Sequence, residues 1–200
     1  MLRLLAEHPA ALERVREEVI SKFGVNGDPT AKDLESLDYL NAVVLETLRL
    51  YPSAAFTRAS DEDTYLAGGK YLIPAGTEIL IVPYIIHRDE RYWENPNAFL
   101  PERFLNEEID RNSEDFRANS LQSRIGRICA KKAYLPFSLG PRNCVGRPLA
   151  LLEMRVVLIK LLQKFTFKIP RNDESYNSVP WFQLTLNPMG IKLIPVLLSQ

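Results

Sequence analysis

Apolar residues recur at helical spacing twice within the first fifty positions. Leu2, Leu5, Leu12, Val15 and Val19 fall on one face of a helix over residues 2 to 22. Pro9 lies inside that stretch; it lacks an amide donor and crowds the preceding turn, so it should kink the helix or divide it in two. Gly24 to Pro29 is rich in turn formers, and Thr30 to Asp33 has the pattern of a capping box. A second helix follows and ends before Pro52, with Leu37, Leu40, Val44, Leu45 and Leu48 as its apolar face. Between Thr64 and Ile86 the runs become short and β-rich, separated by Gly68-Gly69 and Pro74-Ala75-Gly76, which predicts a small antiparallel sheet. A loop-rich section, an apolar helix and a C-terminal hairpin complete the pattern. The fold class expected is mainly α with small antiparallel β-sheets.

Composition narrows the picture only a little. With 200 residues, 46% hydrophobic content and 25 basic against 25 acidic side chains, the chain suits one globular domain or part of a larger one. The charge balance gives no argument for nucleic acid. Two cysteines, Cys129 and Cys144, argue against a disulfide framework and favour a reducing compartment. No stretch approaches the roughly 18 uninterrupted apolar residues of a membrane span. Residues 149 to 165 come nearest but contain Glu153, Arg155, Lys160 and Lys164. Met1-Leu-Arg-Leu-Leu runs directly into a charged amphipathic segment, without the pattern of a signal peptide.

The densest chemistry lies at Phe137-Ser-Leu-Gly-Pro-Arg-Asn-Cys-Val-Gly146. Here one cysteine stands between glycines, beside an arginine, and just ahead of an apolar helix in which Pro148 occupies a position that a first turn tolerates. Backbone N–H dipoles, a helix N-terminus and cationic neighbours all favour a thiolate. The glycines allow backbone conformations and close approaches that a Cβ would block. The expectation is a buried anionic metal ligand. Taken alone, Cys144 would read as an ordinary buried small residue, the usual place of a free cysteine; the surrounding residues reverse that reading.

The spacing Phe-x-x-Gly-x-Arg-x-Cys-x-Gly, carried by Phe137, Gly140, Arg142, Cys144 and Gly146, closely resembles the haem-binding signature of the cytochrome P450 family of haem-thiolate monooxygenases. Two further segments share the resemblance in the family's order. Glu46-Thr-Leu-Arg49 places a carboxylate and a guanidinium one turn apart on a helix, a pattern that by itself also suits a solvated pair. Pro101-Glu-Arg-Phe104 lies between that helix and the cysteine loop. The resemblance implies that Glu46, Arg49 and Arg103 form a buried charged cluster tying the helix to the thiolate loop. It also extends through His87 to Phe99, and so covers the chain almost end to end. His87 is then no iron ligand, because the family's proximal ligand is a thiolate and its sixth position is left to water or oxygen.

What the resemblance implies about chemistry is specific. The cofactor is haem b, iron protoporphyrin IX, with Cys144 as the axial ligand to iron and the catalytic thiolate. Arg142 and Arg58 are the expected partners of the haem propionates, where charge-assisted pairing favours arginine; the bland alternative for each is a solvated surface arginine. Phe137 is expected to pack on the porphyrin and shield the sulfur. Ala54, Ala55 and Phe56, within the segment Ser53 to Thr57, and the stretch Val179 to Leu184 are candidates to line the substrate site, or else plain core. The implied reaction inserts one oxygen atom of O2 into a lipophilic small molecule and reduces the other to water with two delivered electrons. An NADPH-dependent flavoprotein reductase is the expected donor.

After Phe104 the chain turns polar, with acidic Glu107, Glu108, Asp110, Glu114 and Asp115 ahead of basic Arg117, Arg124, Arg127, Lys131 and Lys132. A solvated connection and a basic docking surface for an acidic electron-transfer partner both fit. The resemblance reads residues 1 to 200 as the C-terminal portion of a cytochrome P450 domain. The N-terminal portion, the distal oxygen-activating helix and any membrane anchor would then lie before Met1. It is closest in style to eukaryotic microsomal members, which implies the cytosolic face of the endoplasmic reticulum membrane for the full-length parent. A truncated non-catalytic haem-binding fragment and a peroxide-rearranging relative are the alternatives.

Overall fold

The computed structural model describes residues 1–105, 133–170, 181–182, 185–187 and 191–198. The first helical pattern is divided at Pro9 into α1 (Leu2–Glu7) and α2 (Pro9–Phe23), and Leu12, Val15 and Val19 are the buried face of α2. Proline opens α2, where its missing N–H costs nothing. The capping box at Thr30 forms: the Thr30 hydroxyl accepts the Asp33 amide, and the Asp33 carboxylate accepts the Thr30 amide at 3.0 Å.

The single second helix expected from periodicity is two helices. α3 (Ala31–Leu34) is one turn, and α4 (Asp38–Leu50) starts afresh behind Leu37. Capping chemistry makes the break. The Ser36 hydroxyl donates to the Asp33 carbonyl, and the Asn41 side-chain amide donates to the Leu34 carbonyl, so carbonyls at the end of α3 are satisfied without continuing the helix. At the start of α4, Glu18 of α2 accepts the Tyr39 and Leu40 amides at 2.9 and 2.8 Å. A carboxylate there meets both the orphan donors and the positive end of the helix.

α4 is the central element. Every residue from Tyr39 to Leu50 is buried, including Asn41, Glu46, Thr47 and Arg49. α2 and α6 (Arg147–Lys164) pack on it, with Leu151, Leu158, Ile159 and Leu162 of α6 completing the core. Trp93, Phe99, Phe104 and Tyr134, from the connecting segments, close the same core.

The sheet expected between Thr64 and Ile86 is two separate pairings, and one of its strands lies upstream. β1 (Phe56–Ala59) pairs antiparallel with β4 (Glu78–Ile81), in register Phe56 opposite Ile81. β2 (Thr64–Leu66) and β3 (Tyr71–Ile73) form an inserted hairpin. The run ends in a helical turn, α5 (Pro83–Ile86), rather than in strand, because Pro83 cannot donate to a ladder but suits a first helical position. A 3-10 turn covers Pro101–Phe104. At the C-terminal end β5 (Phe165–Lys168) pairs with β8 (Ile194–Leu197), and between them β6 (Trp181–Phe182) pairs with β7 (Leu186–Asn187).

Candidate functional site

Arg49 is the most heavily bonded side chain of the described residues. Its Nε and one Nη donate to the two oxygens of Glu46 at 2.7 and 2.8 Å, a bidentate pair on one helical turn. The remaining guanidinium protons go to the carbonyls of His87 (2.8 Å), Pro96 (2.7 Å) and Ala98 (3.0 Å). All five donors of the guanidinium are thereby used. Glu46 also accepts the Leu100 amide at 2.9 Å and Arg103 Nε at 3.1 Å. Arg103 reaches the carbonyls of Glu94 and Asn95. Glu46 and Arg49 are fully buried, and Trp93 lies 5.2 Å from the Arg49 guanidinium. The structure therefore brings Glu46, Arg49 and Arg103 into one cluster that staples the 87–103 segment to α4.

His87 sits beneath this cluster and is itself buried. Its Nδ1 lies 3.0 Å from the Arg49 carbonyl, and its Nε2 accepts the Leu135 amide at 2.7 Å. Accepting at Nε2 requires the tautomer protonated at Nδ1, which then donates to Arg49. Burial, with a lesser contribution from the charges of Arg49 and Arg88, lowers the His87 pKa to about 4. Both ring nitrogens are engaged, so neither is available to a metal. Tyr134 stacks on the imidazole at 5.2 Å and donates its hydroxyl to the Leu45 carbonyl at 2.8 Å.

From Leu135 the chain enters the cysteine loop. The Ser138 amide donates to the Leu135 carbonyl, the Asn143 amide to Gly140, and the Cys144 amide to the Phe137 carbonyl at 3.0 Å. Gly140 has φ +77°, the left-handed conformation that favours glycine, and Ser138 shares that region at φ +62°. The Cys144 carbonyl accepts the Arg147 amide, and α6 begins there, with Pro148 in its first turn. Cys144 thus stands just before the N-terminus of an 18-residue helix.

One expectation about this loop needs correction. Cys144 is exposed, not buried, because the loop projects beyond the core and no described segment of the chain covers the sulfur side. At Gly146 an added Cβ would meet only the Cys144 Sγ, at 3.8 Å, an ordinary contact, so the chain itself does not require glycine there. Phe137 is half-buried and packs against the core. Val145 of the loop and Leu149 and Leu152 of α6 are 95, 59 and 37% exposed. A surface helix ordinarily turns leucines such as the latter two inward.

Arg58, on β1, reaches the other limb of the loop. One Nη donates to Ser138 Oγ at 2.6 Å and to the Arg142 carbonyl at 3.3 Å. Its guanidinium lies 5.0 Å from the Phe56 ring, one pleat earlier on the same strand face. The Arg142 side chain is exposed. Ala54, Ala55 and Phe56 are half-buried at the entry to β1, and Ala54 forms an isolated antiparallel bridge with Thr185. Of the Val179 to Leu184 candidates, only the backbone of Trp181 and Phe182 lies within the described residues. Cys129 and the charged stretch from Glu107 to Lys132 lie outside them. Among the described residues no helix is long and apolar enough to cross a membrane, and no group of three or more His, Cys, Asp or Glu side chains could hold a metal ion.

The sequence profile of the family described as Cytochrome P450 matches residues 1–195. The chain belongs to the cytochrome P450 family. Human cytochrome P450 4V2 is 40% identical over 166 residues, 82% of this chain and 28% of that protein. A cytokinin hydroxylase of Arabidopsis thaliana is 38% identical over 195 residues, 96% of this chain and 33% of that protein. A steroid 17-alpha-hydroxylase/17,20 lyase of Ictalurus punctatus is 34% identical over 194 residues, 95% of this chain and 34% of that protein. The chain spans about a third of the length of these P450 relatives. Its helices and small antiparallel sheets are consistent with part of the P450 fold.

His87 is the residue whose role sequence reasoning missed. The available signal was its place at the end of the apolar run Ile79 to Ile86, where a polar ring carried inside must find two partners.

Proposed function

We propose that this protein is a haem-thiolate monooxygenase that inserts one oxygen atom of O2 into a lipophilic organic substrate, with haem b as cofactor and Cys144 as the residue that would hold its iron. The observation that carries the reading is the cysteine loop. Its sulfur is exposed just before the N-terminus of α6, and Val145, Leu149 and Leu152, close to it along the chain, are exposed apolar residues. A large, flat, mostly apolar group with a metal at its centre fits this donor set. Gly146 supports the fit, since it leaves the Sγ side free of a Cβ.

When bound, the haem supplies the activation of O2 with two delivered electrons. The chain's own residues hold and orient it. Cys144 would hold the iron from just before the N-terminus of α6. Arg58, which already spans from β1 to Ser138 and Arg142, and the exposed Arg142 would pair with the propionates. Phe137 would shield the sulfur from water. Ala54, Ala55 and Phe56 would line the substrate side. The Glu46, Arg49 and Arg103 cluster keeps the 87–103 segment in place beneath the loop and is a geometric device more than a source of net stability.

Two relatives carry hydroxylase in their names, for a cytokinin and for a steroid, which supports oxygen insertion into a lipophilic molecule. An NADPH-dependent flavoprotein reductase as electron donor and the cytosolic face of the endoplasmic reticulum as location belong to the same proposal. The deciding experiment is the spectrum of the haem-loaded, reduced, carbon monoxide-bound protein. The expected result is the strongly red-shifted Soret band of thiolate ligation, lost in Cys144→His and kept in Cys129→Ser. A band that survives Cys144→His would overturn the ligand assignment.

A further inference from the structure

His87 links the last turn of α4 to the start of the cysteine loop. The Arg49 carbonyl lies in the last turn of α4, beyond the reach of any later helical N–H, and His87 satisfies it through Nδ1. On its other edge the same ring accepts the Leu135 amide at 2.7 Å. Leu135 is where the cysteine loop starts, since its carbonyl accepts the Ser138 amide and Phe137 then accepts the Cys144 amide. Tyr134, one residue earlier, is held against the same helix by its bond to the Leu45 carbonyl, one turn before Arg49. The loop is therefore registered against α4 at two successive turns, once by a phenol and once by an imidazole.

The geometry points to His87 as a positioning residue for the proximal ligand: a ring held in one tautomer that sets where the Cys144 loop leaves α4. This inference rests on the reading of Cys144 as the iron ligand. It assigns His87 no contact with the haem. The charged cluster around Arg49 holds the 87–103 segment, whereas His87 carries that placement across to residue 135. A ring of this kind has a property that an apolar filler lacks, because it must donate on one edge and accept on the other. Substitutions can therefore separate the two bonds. His87→Gln places an amide oxygen near the position of Nε2 and keeps an acceptor for Leu135. His87→Asn mimics only the Nδ1 side and cannot reach Leu135. His87→Phe keeps the stack on Tyr134 and loses both bonds.

Two measurements test the inference. The first is amide hydrogen exchange at Leu135 and Cys144 in the chain without haem. The second is the fraction of red-shifted band in the haem-loaded, reduced, carbon monoxide-bound protein. Exchange at Leu135, whose amide loses its acceptor, should accelerate about tenfold in His87→Asn and His87→Phe, exchange at Cys144 should rise with it as the loop loses its anchor, and both should return toward wild type in His87→Gln. The red-shifted fraction should follow the same order. If His87→Phe does not fold, the comparison of Asn with Gln decides. Equal protection and equal red-shifted fraction in Asn, Gln and wild type would overturn the inference, as would failure of Gln to exceed Asn. A wild-type protein without the red-shifted band would instead remove the ligand assignment, while the exchange data would still report on the His87 link.

Discussion

At the residue scale, the cluster around Glu46 and the ring of His87 are both polar groups carried inside, and they answer to different physics. Glu46 and Arg49 are charges without exposure, tolerable because every donor of the guanidinium and both carboxylate oxygens are matched. Removing one partner leaves the other a buried charge without its bidentate counter-ion, held only by Arg103 and Leu100 for Glu46 or by backbone carbonyls for Arg49, at a cost of about 3 to 5 kcal/mol. Glu46→Gln and Arg49→Ala should each lower the urea midpoint accordingly and reduce haem incorporation. The double variant should be scarcely worse than either single, since coupled sites are not additive. Purely additive losses would contradict the view of one unit. His87 is buried neutral, with a pKa near 4 in the folded chain against 6.5 when unfolded. Between those values the unfolded state binds the extra proton, so this contribution is complete above about pH 6.5 and is lost as pH falls toward 4. The gap corresponds to about 3 kcal/mol. Urea midpoints measured over that range should fall with acid in wild type and fall less steeply in His87→Gln; parallel slopes would show that the ring does not carry the effect.

Elements show why the sequence was partly legible. Pro9, the Thr30 capping box and the apolar face of α4 could be read because each is a local signal: a missing donor, a spaced pair of caps, a period of 3.6. The break between α3 and α4 could not. Leu34, Leu37 and Leu40 keep helical spacing through it, and the carboxylate that starts α4 comes from Glu18, twenty residues away in the sequence. Long-range capping leaves no periodic trace. The pairing of β1 with β4 around an inserted hairpin was hidden for a similar reason, since β1 begins inside a segment whose small residues suggest only a loop. Two predictions belong at this scale. Glu18→Ala, which strips both orphan amides of their acceptor, should cost about 1 to 2 kcal/mol, read as a lower thermal midpoint. Gly140→Ala should cost about 1 kcal/mol because φ is +77° there. Gly146→Ala should lie within about 0.5 kcal/mol of wild type in the haem-free chain, because the new methyl meets only a sulfur at contact distance. Equal losses at the two glycines would contradict this account of the loop.

For the whole molecule, the cluster, the His87 link and the cysteine loop form one continuous path from the buried centre of α4 to an exposed sulfur. The motif residues of the loop were visible in the sequence, but its exposure was not, because burial belongs to the assembled surface and not to a ten-residue pattern. Close to that sulfur along the chain, Val145, Leu149 and Leu152 expose apolar side chains to solvent, and exposed apolar surface is what an interaction site offers. If the haem is what covers it, charge placed on these residues should act on uptake and association while leaving the fold alone. The double variant Val145→Lys, Leu149→Lys loses little packing, so its unfolding midpoint without haem should stay near that of wild type. Light scattering and binding of a hydrophobic dye by the haem-free chain should both fall, since lysine removes exposed apolar surface and adds like charge. Haem titration should show weaker uptake than wild type, with Cys144 untouched. Unchanged haem affinity in the double variant would separate these residues from the cofactor site and leave them to a different partner.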